Sequence, residues 1–282
     1  MKNFKTISLL LVVLFAIGSQ KVNAQSDKGF YASVNSGYNL GTGNVNYYQA
    51  MLLGLYNSNE ISATTNTTEL VKSNLGKGFN IGANFGYMFT KNIGFELGAN
   101  YLVGAKIKSA QTSYTGDYAN SEVSAKMIQI KPTLVFRAGY DKINPYAKVG
   151  MVIGSGKIIN TQNDKNGVDF STKILELDGG TPIGFHGSIG TLYKLNSKLA
   201  LFGELNLVSL EYAPKKGQIT TATKNGVDQL PTKAVEDKEI EFIDSFVSTG
   251  APSNPNEPSK TPKLPFSFSS MGLNIGIQYQ FN

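Results

Sequence analysis

The sequence predicts an all-β chain, eight antiparallel strands wound up and down and closed into a transmembrane β-barrel with long external loops. Three observations carry that prediction. Eight segments alternate apolar and polar residues with a period of two, and the connections between them alternate short and long. The alternation also runs through GLNIGIQYQFN, Gly272 to Asn282, where a chain end would ordinarily fray. A wet face beside every apolar one explains why mean hydropathy is slightly below zero.

The elements follow in order. MKNFK carries Lys2 and Lys5, an apolar run fills 7–18, and SQKVNA ends in the small-residue pattern Val22-Asn23-Ala24. This is the three-part plan of a secretory signal peptide over 1–24, with Gln25 opening a barrel domain over 25–282. The apolar run is shorter than the roughly 20 residues a spanning helix needs. With no cysteine in the chain, lipid attachment at cysteine, disulfides and thiolate metal sites are excluded. Lys and Arg number 26 against 20 Asp and Glu, and Lys2, Lys5 and Lys21 belong to the leader. That near balance gives no electrostatic footprint for nucleic acid.

The apolar face of the first strand is Phe30, Ala32, Val34, Ser36, Tyr38 and Leu40, against Tyr31, Ser33, Asn35, Gly37 and Asn39. The second sets Phe79, Ile81, Ala83, Phe85, Tyr87 and Phe89 against Asn80, Gly82, Asn84 and Gly86. The third sets Ile93, Phe95, Leu97, Ala99, Tyr101 and Val103 against Gly94, Glu96, Gly98 and Asn100. The fourth sets Ile128, Ile130, Leu134 and Phe136 against Gln129, Lys131, Thr133 and Arg137, with Pro132 predicting a local bulge because it removes a ladder donor. Ala147, Val149, Met151 and Ile153 oppose Lys148, Gly150 and Gly154 in the fifth. Ile183, Phe185, Ile189 and Tyr193 oppose His186, Ser188 and Gly190 in the sixth. The seventh has Leu199, Leu201, Leu205 and Leu207 against Glu204 and Asn206, blurred by Phe202 and Val208; the C-terminal run is the eighth. Each is close to the 9–11 residues of a tilted membrane-spanning strand.

Thr90-Lys91-Asn92, Asp141 to Asn144 and Asn196-Ser197-Lys198 are the short connections, while 41–77, 106–123, 157–181 and 213–264 are long and polar. A soluble β-sandwich also alternates, but it has no reason to segregate loop length by side. Tight turns on one side and long loops on the other, with an even strand count, are the pattern of the bacterial outer membrane, with both termini periplasmic. Lipid offers no hydrogen-bond partner, so the last strand must pair with the first and leave no edge. Phe30, Phe89, Phe95, Tyr140, Tyr193, Tyr279 and Phe281 then form a periplasmic aromatic girdle, without Trp.

The chain resembles the small OmpA/OmpX-like outer-membrane barrels of Gram-negative bacteria over nearly all its mature length. Asn274, Gly276, Tyr279 and Phe281 are similar to that family's assembly signal, with Phe281 penultimate rather than terminal. The resemblance implies an integral, monomeric, cell-surface protein. Its implied partners are the barrel-assembly machinery, outer-membrane lipid and lipopolysaccharide, and an extracellular ligand of the loops, with no nucleic acid. No peptidoglycan-binding domain follows the barrel, so the anchoring role of the larger OmpA-type proteins does not carry over.

Eight strands enclose a space that side chains just fill. Glu96, Arg137, Lys148 and Glu204 lie at similar depth on the polar phase, with Lys131 higher, which predicts an internal charge cluster. The expected contact is Glu96 with Arg137, direct or through one water; barrel stagger offers Glu96 with Lys148 instead. A gated solute or ion path through the same groups is the alternative function. His186-Gly187-Ser188, holding the chain's single histidine, is similar to the His-x-Ser of lipid A deacylase barrels. That chemistry belongs on a lipid-facing surface, whereas the phase puts both residues in the lumen, so the expectation is a non-catalytic barrel without cofactor or metal. Gly154-Ser155-Gly156-Lys157 lacks the rest of a phosphate loop. KNGVD occurs twice, at 165–169 and 224–228, and Asn-Gly predicts a hairpin tip at each copy; Asp164 and Asp169 leave a Ca²⁺ clasp open at the first. The proline-rich stretch 251–265 is expected to be mobile. The reading that results is a structural or surface-interaction role, through adhesion or binding by the external loops.

Overall fold

The computed structural model describes residues 28–245 and 254–281, so the leader expected over 1–24 lies outside the described residues. The chain opens with β1 (Gly29–Gly41), a short helix α1 (Tyr47–Leu53), and the hairpin β2 (Tyr56–Ser62) and β3 (Thr65–Leu70). There follow β4 (Gly78–Met88), β5 (Ile93–Gly104), β6 (Ile107–Thr112) and the two long strands β7 (Tyr118–Arg137) and β8 (Ile143–Asn166). Next come β9 (Asp169–Asp178), β10 (Ile183–Lys194), β11 (Leu199–Ser209), β12 (Glu211–Tyr212), β13 (Lys216–Lys224) and β14 (Val227–Asp228). The last elements are helix α2 (Val235–Lys238), β15 (Glu239–Ile243), β16 (Ser259–Pro262), β17 (Phe266–Ser267) and β18 (Ser270–Gln280).

Eight of these strands pair antiparallel in a closed ring, β1-β4-β5-β7-β8-β10-β11-β18 and back to β1. The seam is fully laddered, from Tyr31 opposite Gln280 to Gly41 opposite Ser270. Beyond it, the Phe281 amide donates to the Phe30 carbonyl at 3.0 Å. The period-two faces hold on every stave. Val34, Phe79, Leu97, Ile128, Leu205 and Ile275 are exposed on the outer wall, whereas Asn35, Asn80, Glu96, Gln129, Asn206 and Asn274 are buried inside. Phe202 and Val208, ambiguous in sequence, also point inward. So continuous an apolar wall marks a surface covered in place. No helix among the described residues is long and apolar enough to cross a membrane.

The predicted girdle is present at the turn end. The Phe30 ring lies 5.5 Å from Phe85 and 4.7 Å from Tyr87, and Tyr279 lies 5.2 Å from Phe281. Phe89, Phe95 and Tyr193 share that exposed wall, while Tyr140 is half-buried.

The long connections differ from the expected polar loops. β7 and β8 continue past the apolar band as one ladder, from Lys126 opposite Lys157 to Tyr118 opposite Lys165. β6, β2 and β3 extend this sheet on one side, and β9, β13, β15 and β16 on the other, forming a crown above the ring. The inner face of these extensions carries Val123, Ala125, Ile158, Leu175 and Leu177 in the buried core, while Asn, Thr and Ser crowd the outer face and the distal ends. Residues 251–253 of the proline-rich stretch lie outside the described residues, but Ser259–Pro262 is an ordered strand parallel to β15. The bulge expected at Pro132 is absent as well. Leu97 faces Pro132 in unbroken register with β5, and on the β8 side Lys131 and Pro132 lack partners without any register shift. The missing donor is absorbed as a gap in one ladder, and the phase of the strand survives.

Candidate functional site

The lower lumen is filled by the predicted charges, in the alternative pairing that barrel stagger offered. Lys148 Nζ lies 2.8 Å from Glu96 Oε1 and 3.5 Å from Glu204 Oε2, with all three side chains at most 10% exposed. The direct contact expected between Glu96 and Arg137 is not formed. Arg137 donates to Gln278 Oε1 at 2.9 Å, and its guanidinium carbon sits 4.7 Å above the Tyr31 ring. Tyr31 occupies the gap between the two, because its hydroxyl donates to Glu96 Oε2 at 2.9 Å. The stagger of the strands carries Lys148 of β8 to the height of Glu96 on β5, past the intervening β7.

Sequence reasoning missed the two tyrosines. Tyr146 repeats the role of Tyr31, donating to Glu204 Oε2 at 2.9 Å, while Ser188 and Asn274 also donate to Glu204 at 3.3 and 3.1 Å. Each ring lies over an inward glycine of a neighbouring strand, Tyr31 over Gly86 and Tyr146 over Gly190, where a Cβ would collide with it. An aromatic on the polar phase across from a glycine was the available signal. Asn274 of the resemblance-based assembly signal thus has a lumenal partner; Gly276 faces inward beside it, while Tyr279 and Phe281 lie on the outer wall. Lys131 lines the same space, and no carboxylate pairs with it among the described residues.

The remaining void beside these groups is about 20 Å³, with a second of about 10 Å³ near Arg137 and Phe202. Such volumes hold about one water each. His186 Nε2 is 2.8 Å from Thr133 Oγ1, whereas Ser188 donates to Glu204, so the two do not form a base–nucleophile pair with each other.

Above the charges the lumen turns apolar. Leu102, Met127, Val152 and Val208 of the barrel meet Leu53, Leu55, Leu75, Tyr212, Phe266 and Phe268 from the loops in one buried core. Tyr212 packs edge-on against Phe268 at 5.6 Å and donates to the Gly156 carbonyl at 2.7 Å. α1 is held there by a capping box between Asn46 and Gln49, by Gly54 in the left-handed region, and by a hydrogen bond from Gln49 to the Pro265 carbonyl. Each large side chain so buried is worth about 1.5–3 kcal/mol.

At the far end of the crown the two KNGVD copies interlock. The Asn225 amide donates to the Asp169 carboxylate at 2.8 Å, and Lys224 pairs with Asp169 at 2.7 Å. These partners occupy the carboxylate that a Ca²⁺ clasp would use, and no group of three His, Cys, Asp or Glu side chains placed to hold a metal occurs among the described residues. The copies also turn differently. Lys224 closes on Val227 around Asn225 and Gly226, both at positive φ, whereas Asn166 closes on Asp169 around Gly167 and Val168, with only Gly167 positive. The first pattern is type I′ and the second type II′, one residue apart in register.

Comparison with known families agrees with this architecture. The family model "Outer membrane protein beta-barrel domain" matches residues 7–229. Among solved structures, Neisserial surface protein A is 11% identical, with 90% of this chain and 97% of that chain covered at a TM-score of 0.37. The outer-membrane protein OprG of Pseudomonas aeruginosa is 13% identical, with 92% and 100% covered at a TM-score of 0.44. No curated protein matches the chain.

Proposed function

The chain belongs to the outer-membrane β-barrel family, and from that premise we propose a non-catalytic surface protein whose barrel is a closed anchor and whose crown is the interacting part. Both termini then face the periplasm, and the crown stands outside the cell. The observation that carries this reading is the double closure of the bore, by the Glu96–Lys148–Glu204 cluster below and the apolar core around Leu53 and Phe268 above. A path for ions would need a continuous wet column, and voids that hold about one water do not supply one. The separation of His186 and Ser188 onto different partners supports the non-catalytic part. Planar-bilayer recording of the purified barrel tests the reading. Insertion without conductance steps is expected, and stable unitary steps from the wild-type chain would overturn it.

A further inference from the structure

One outward face of the crown and barrel changes character in a fixed order along β7. Ile130 and Ile128 belong to the exposed apolar wall, with Tyr101 of β5 beside Ile128. The next outward residue is Lys126, exposed and directly opposite Lys157 of β8. Two like charges opposed across a ladder repel. Lys157 is neutralised by Glu176 at 2.6 Å and Asp178 at 3.8 Å, but Lys126 has no carboxylate partner among the described residues. Farther out, Lys106 and Lys108 converge on Glu122 at 2.6 and 3.6 Å. Beyond them opens a groove of about 410 Å³ lined by Asn57, Asn120, Asn163, Lys108 and Glu122. On β11, by contrast, the outward residues past the apolar band are Ser209 and Glu211, with no cation between them.

Apolar wall, then an unneutralised cation, then an amide-rich groove is the sequence of chemistries in a phosphorylated glycolipid read from tail to head. We infer that this face, from Tyr101 and Ile128 up to Asn120, holds one such lipid of the outer leaflet. Its acyl chains lie on Tyr101, Ile128 and Ile130. Its phosphate sits at Lys126 beside Lys157, and its sugars enter the groove, where Asn57, Asn120 and Asn163 offer paired donors and acceptors to hydroxyl groups. Six residues separate Lys126 from Asn120 along β7, about 20 Å of strand, which leaves room for a short saccharide. The site rests on the proposed reading that the crown faces outward, since only then does it meet that leaflet.

The test is native mass spectrometry of the purified barrel in detergent with three added lipids. These are lipid A bearing phosphates and core sugars, the same lipid with its phosphates removed, and phosphatidylglycerol. The wild type is expected to retain one phosphorylated glycolipid, and Lys126→Ala to lower that retention about fivefold, the worth of one cation at a membrane surface. Asn120→Ala with Asn163→Ala is expected to weaken only the sugar-bearing lipid. Lys198→Ala, on a short turn, serves as control, and heat-modifiable gel mobility confirms that each variant is folded. Equal retention by Lys126→Ala, or equal binding of either of the other two lipids, overturns the site. Lipid added in detergent reports on the site whichever way the crown faces, so a reversed orientation shows itself separately in labelling of intact cells.

Discussion

Lys148 stands between two carboxylates, and removing it leaves Glu96 and Glu204 buried with no counter-charge in contact. Lys148→Met is therefore expected to cost on the order of 3–5 kcal/mol, read as a lower urea midpoint for the loss of the compact gel band. Combining it with Glu96→Gln should recover part of that loss, since the second change removes a stranded charge; strict additivity of the two would contradict the direct pair. In the crown, the hydrogen bond from Lys106 first of all holds the Glu122 carboxyl below its ordinary value near 4.5, against the opposing effect of its slight burial. A lowered carboxylate pKa stabilises fully above the ordinary value, and that stabilisation disappears as the pH falls through the lowered one. The pair is largely exposed, so at most about 1 kcal/mol is at stake. Amide protection factors in 106–123, taken relative to intrinsic exchange at each pH, should fall in the wild type as the pH drops below about 4.5, and Glu122→Gln should flatten that response. A pH response that persists in Glu122→Gln would assign the effect to another group.

At the scale of elements, the twin pentapeptides make a contrast that can be measured. Gly226 and Asn225 both require positive φ, whereas Asn166 occupies an ordinary strand position. Gly226→Ala is expected to cost about 1 kcal/mol locally and to speed proteolysis within 213–230, while Asn166→Ala should leave it unchanged. Equal effects would contradict the different turns. The same residues show where legibility ended. Phe79 to Met88 announces its two faces because Phe and Ile alternate with Gly and Asn. Asn120, Ser121, Gln162 and Asn163 alternate only with one another, so the distal ends of β7 and β8 carried no apolar contrast, and nearer the barrel only Val123, Ala125 and Ile158 did. The identity of the buried charges was legible from their phase, and their partners only as alternatives. Register along each strand sets phase, whereas the stagger between strands sets depth, so the sequence left Glu96 with either Arg137 or Lys148 and the folded ring decides for Lys148.

For the whole molecule, closure is the organising constraint. β18 is the stave that completes every ladder between β11 and β1, and Phe281 continues the seam to Phe30. Phe281→Ala, or loss of the last three residues, should reduce the amount of membrane-assembled barrel; unchanged heat-modifiable mobility and yield would contradict that dependence. The larger claim is that the ring crosses the outer membrane with its crown outside and its short turns inside. The chain contains no cysteine, so single cysteines report position cleanly. Val168 and Val227 are exposed at the two interlocked tips, and Asn196 lies in a short turn at the opposite end. A membrane-impermeant thiol reagent applied to intact cells is predicted to label Val168→Cys and Val227→Cys and to spare Asn196→Cys until the outer membrane is permeabilised. Labelling of Asn196→Cys on intact cells, with both tips protected, would contradict the account.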